Sequence, residues 1–99
     1  MMANVNELLK KLNIDKKGDF KGDFYVIPLE SSDEYIRMYS RLNDSAINTE
    51  NPSMGANSND STVKITNYFE IDDNDMTYNI FLIANFDSDT YYVKIGEKK

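Results

Sequence analysis

Ninety-nine residues suffice for one hydrophobic core and are too few for two, and 40% hydrophobic residues with five Phe and seven Tyr exclude a disordered polymer. Cysteine and histidine are both absent, which removes disulfides, thiolate nucleophiles, Cys-based metal sites and the commonest general base and pH switch. A formal net charge of −6 speaks against broad nucleic-acid binding, and no stretch approaches the roughly 20 apolar residues of a membrane helix.

Val5, Leu8, Leu9 and Leu12 recur at the spacing of an amphipathic helix. Asn4 and Glu7 form a cap-like start and Asn13 a stop. A tandem tetrapeptide follows, Lys17-Gly18-Asp19-Phe20 and Lys21-Gly22-Asp23-Phe24. Paired Gly-Asp steps read as turns, with the two phenylalanines packed inward. Phe24 to Leu29 is β-prone, and Pro28 puts it at a sheet edge or strand end.

Ser31 with Glu34 is a capping box opening a second helix, whose buried stripe is Tyr35, Met38, Tyr39 and Leu42. Asn43 and Asp44 end it. Residues 43–61 are dominated by Asn, Ser, Asp and Thr, and read as a long flexible loop. Ile47 and Met54 are its sizeable apolar residues and its candidate contacts with a partner.

Three alternating segments close the chain, Val63 to Ile71, Met76 to Phe86 and Tyr91 to Ile95. Four-residue turns at 72–75 and 87–90 pair Ile71 with Met76, Phe69 with Tyr78, Phe86 with Tyr91 and Ala84 with Val93. Both hairpins then put their apolar residues on one face. The expected fold is a two-layer α+β domain spanning residues 1–99, in the order α-β-α-loop-β-β-β. Two short helices pack on one face of an antiparallel sheet that ends in a three-stranded meander.

The chemistry-bearing motifs fail one by one. Starting a calcium loop at Asp73 places Asn79 where a turn is needed and Ala84 where a bidentate Glu belongs. The two acidic turns cap opposite ends of the meander and cannot form one metal site. Asp19-Phe20-Lys21 has the acid-x-Lys spacing of a nuclease strand but lies within the Gly-Asp repeat. The glycines, Gly18, Gly22, Gly55 and Gly96, form no phosphate loop. Neither an enzyme, a cofactor nor a metal is expected.

What remains is a surface. On the second face of the meander, Tyr68, Phe81, Ile83 and Tyr92 stand among Thr, Asn, Lys and Glu. Clustered aromatics on a solvent face mark interaction sites. The competing reading covers this face with the first helix or the long loop. The total of Phe, Tyr, Met, Ile, Asn and Lys is 47, against 12 for Gly, Ala, Arg and Pro. That bias points to an AT-rich gene of the kind low-GC bacteria, phages and mobile elements carry. The functional expectation is a small acidic cytoplasmic protein-binding module, an inhibitor or accessory factor of a phage or mobile element. The alternative is a self-associating structural protein, so a homo-oligomer is carried beside the hetero-partner; a carboxylate–metal enzyme and a nucleic-acid binder rank below both.

Overall fold

The computed structural model describes residues 5–50 and 64–98. Helix α1 (Val5–Lys11) buries Val5, Leu8 and Leu9, the predicted stripe. Its end is set by Asn13, whose φ of 57° is left-handed. The Asn13 N–H donates to the Lys10 carbonyl (3.1 Å) and the Ile14 N–H to the Leu9 carbonyl (2.9 Å). This is a Schellman closure, and Ile14 and Leu9 are both buried in the core beside it. Arg41 from the second helix donates to the Asn13 carbonyl at 2.8 Å, tying the two helices together.

Strands β1 (Asp19–Lys21) and β2 (Phe24–Leu29) form a hairpin around Gly22 and Asp23. Gly22 has φ +62° at the first loop position, the type II′ pattern. The expectation of two inward phenylalanines does not hold. Phe20 is opposite Tyr25 and Phe24 opposite Lys21, so the reversal sends the two rings to opposite faces of the sheet. Phe20 lies at the edge, 54% exposed, with its ring 4.9 Å from that of Tyr25.

Helix α2 (Ser32–Ser45) starts where predicted, with Ser31 Oγ accepting from the Glu34 N–H at 3.3 Å. Glu34 reaches back one residue further than in a capping box, accepting from the Glu30 N–H at 2.7 Å. It also binds Lys16 at 2.8 Å. Part of the predicted long loop is regular structure. Asn43 to Ser45 complete α2, and β3 (Asn48–Glu50) pairs with the next strand, while 51–61, including Met54, lie outside the described residues.

The meander comprises β4 (Lys64–Asp73), β5 (Met76–Asn85) and β6 (Thr90–Glu97). Its register differs from expectation by two residues in both hairpins: Ile71 faces Tyr78, and Ala84 faces Tyr91. The cause is turn chemistry. Asn74 and Asp75 both adopt positive φ, 51° and 67°, giving a two-residue type I′ loop that zips Asp72 and Asp73 into the ladder. At the other end, Asn85 Oδ1 accepts from the Asp87 and Ser88 N–H groups (3.1 and 3.2 Å), and Asp89 is left-handed with φ 54°. The loop becomes 86–89. A two-residue shift preserves the side-chain period, so every residue still in the ladder keeps its predicted face. Phe86, expected opposite Tyr91, passes into the loop and is 45% exposed.

Among the described residues the antiparallel sheet has six strands in the order β1-β2-β6-β5-β4-β3. Both helices pack on one face, an α+β architecture. Leu8, Met38 and Leu42 meet Ile27, Phe69, Ile71, Tyr78, Ile80, Leu82, Val93 and Ile95 there. Asn67 is the polar intruder on this face, and its Nδ2 donates to Tyr35 Oη at 2.6 Å. Among the described residues no helix is long and apolar enough to cross a membrane.

Candidate functional site: the face opposite the helices

Alternation sends the remaining strand residues to the other face. Reading across the ladder, one row runs Val26, Lys94, Phe81, Tyr68, Glu50, and its neighbour runs Pro28, Tyr92, Ile83, Thr66. The four predicted residues therefore meet on adjacent rows. Phe81, Tyr68 and Tyr92 are half-buried, and Ile83 is 5% exposed between Tyr92 and Thr66. The first helix does not cover them, because α1 belongs to the opposite core; residues 51–63 of the long loop lie outside the described residues. Ile47 stands apart from this group: it is 59% exposed, before β3, and its N–H donates to the Glu70 carbonyl at 2.8 Å.

The rings form a connected series. Tyr68 and Phe81 have centroids 5.2 Å apart, and Phe81 and Phe24 6.1 Å apart at 75°. Lys94 Nζ sits 4.4 Å above the Phe24 ring, a cation–π contact. Phe24 also needs the glycine beside it, since a Cβ on Gly96 would lie 2.9 Å from Phe24 Cε1.

At the β3 end the rings give way to a polar network. Tyr68 Oη lies 2.9 Å from Glu70 Oε2 and also within hydrogen-bonding reach of Asn79 Oδ1. With one proton to give, the hydroxyl donates to the carboxylate. Lys98 Nζ closes on the same Glu70 oxygen at 2.9 Å. Lys98, then Tyr68, hold the Glu70 carboxyl below its ordinary range. Tyr68 moves the other way, pushed up to about 12 by burial first, then by its hydrogen bond to Glu70 and the charges of Glu70 and Glu50.

The Tyr68 shift has a definite sign. Ionisation is harder in the folded protein, so the stabilisation is complete below the ordinary value of 10.0 and is lost as pH rises towards about 12. Wild type is expected to lose more unfolding free energy across that window than Tyr68→Phe. Its ultraviolet titration should show a late tyrosinate that the variant lacks. Parallel stability curves for the two proteins would contradict the network.

The residues missed from the sequence lie on β2 and β6. Phe24, Val26, Pro28 and Lys94 line an open cleft of about 560 Å³ with Lys21 and Tyr92. A signal existed: Phe24-Tyr25-Val26-Ile27-Pro28-Leu29 is apolar at both parities, the mark of a strand with two apolar faces. The acidic turns at 72–75 and 87–89 flank opposite ends of β5, and among the described residues no cluster of three acidic side chains is placed to hold a metal ion. No family model matches the chain, and no curated protein or solved structure matches it.

Proposed function

We propose that this protein is a binding module that engages another protein through the sheet face opposite its helices, acting as an inhibitor or accessory factor. One observation carries the reading: a three-ring series, Phe24, Phe81 and Tyr68, crosses the centre of a face that neither helix covers. Aromatic residues enriched at the centre of a patch and a polar rim are the composition of a protein interface. Here the part-exposed polar residues beside the rings are Thr66, Asn79 and Lys94. The sheet edges suit association less well, because β1 and β3 are three residues each and short edge strands discourage strand addition.

The test is paired affinity capture from the native host with wild type and a Tyr68→Ser/Phe81→Ser variant. Circular dichroism of the variant should match wild type while its specific partner is lost. Retention of that same partner by a folded double variant would sink the reading.

A further inference from the structure

We infer that the cleft between β2 and β6 is a recognition pocket for an acidic side chain on an extended partner segment, with an adjoining apolar side chain seated on the cleft floor; this rests on the binding role proposed above. The floor is Val26, Pro28 and Tyr92, and Lys21 and Lys94 stand with Phe24 at one end. Register explains the clustering: Lys21 lies directly opposite Phe24, and Lys94 directly opposite Val26.

These two cations differ from the ion-paired lysines, and from Lys10, Lys17 and Lys64 in lining an apolar cleft. Lys11, Lys16 and Lys98 each hold a carboxylate. Among the described residues Lys21 and Lys94 form no ion pair, and the contact of Lys94 is with the Phe24 ring. In a chain of net charge −6, two cations left without a carboxylate beside an apolar floor complement an anion that arrives with apolar surface. The far end of the cleft carries Asp89, whose carboxylate accepts from Tyr91 Oη at 2.8 Å. Asp19 stands opposite Val26 on β1, but the two lysines outnumber it. An acidic group is therefore drawn to their end and repelled from the Asp89 end, which orients the bound segment.

Nucleic acid fits less well. Its affinity grows with the number of phosphates neutralised, and two lysines in an acidic protein offer little. A single carboxylate needs no more than these two.

Amide shifts of the isotope-labelled full chain would be followed on titration with three acetylated, amidated peptides, Leu-Glu-Phe, Leu-Gln-Phe and Leu-Lys-Phe, and with an oligothymidylate. The glutamyl peptide is expected to shift the Lys21 to Val26 and Tyr92 to Lys94 amides. The glutaminyl peptide should bind about fivefold more weakly, the scale of an exposed ion pair, and the lysyl peptide more weakly still. A Lys21→Gln/Lys94→Gln variant should bind the glutamyl and glutaminyl peptides alike. Equal binding of the two peptides by wild type, no shifts at the cleft, or stronger cleft shifts from oligothymidylate would each overturn the pocket. Loss of the partner by Tyr68→Ser/Phe81→Ser alongside such a failure would leave the binding face standing without this pocket. Retained partner with selective glutamyl binding would do the reverse.

Discussion

Phe69→Ala is expected to lower the unfolding free energy by about 3–5 kcal/mol, the cost of emptying a fully buried aromatic site. Phe69 has no solvent exposure. It faces Ile80 on β5 and Thr49 on β3, and the Tyr39 ring of α2 meets it edge-on at 5.5 Å. The cavity would therefore open where α2 rests on the sheet, and the paired strands on both sides restrict collapse. At about 4–8 °C per kcal/mol for a domain of this size, the melting temperature should fall by tens of degrees. Denaturant unfolding provides the measurement, with the midpoint shifting at unchanged slope. Phe20→Ala is the control, because that ring is largely exposed at the hairpin edge and its loss should cost under about 1 kcal/mol. Similar losses for both variants would contradict the burial that separates them.

The second large effect concerns the glycines of the tandem tetrapeptide. Gly18→Ala should cost about 2–3 kcal/mol, at the upper end of what overpacking does. A Cβ at Gly18 would lie 1.9 Å from the Val26 carbonyl oxygen, and a backbone atom in a ladder cannot swing aside as a side chain would. Relief requires β1 to lift from β2, which also strains the bond from the Gly18 N–H to Tyr25 Oη (2.8 Å). Gly22 has the same neighbours in sequence but a different need. Nothing lies within 4 Å of a Cβ there, and the constraint is its φ of +62°. Gly22→Ala should cost about 1 kcal/mol, the penalty of one left-handed residue, and Gly22→Asn less, since Asn tolerates that region. Denaturant midpoints for the three variants rank them directly. Gly18→Ala costing no more than Gly22→Ala would show that the close approach of β1 to β2 is loose.

The same contrast shows how much of the candidate site was legible beforehand. Tyr68, Phe81, Ile83 and Tyr92 could be placed on one face because a period of two fixes faces even when register slips by two. Asn74 and Asp75 read as part of a four-residue loop, 72–75. Whether such residues take left-handed φ depends on how far the flanking strands can zip. Phe24 and Lys94 were missed for a different reason. Their adjacency depends on β2 pairing with β6, some 70 residues apart, and no local signal encodes that choice. β3 was hidden within polar sequence, since Asn48, Thr49 and Glu50 are all exposed and pair through their backbones.

What the sequence by itself determined is a chain without histidine or cysteine, two amphipathic helices, the second capped by Ser31, and a meander whose core residues share a face. Each follows from composition or from periodicity within a few residues. The tertiary structure decided the order of the strands, the side on which both helices lie, and the joining of Phe24 and Lys94 to Phe81 and Tyr68. Those depend on pairing between distant segments, where the free energy comes from contacts that exist only once the sheet has closed.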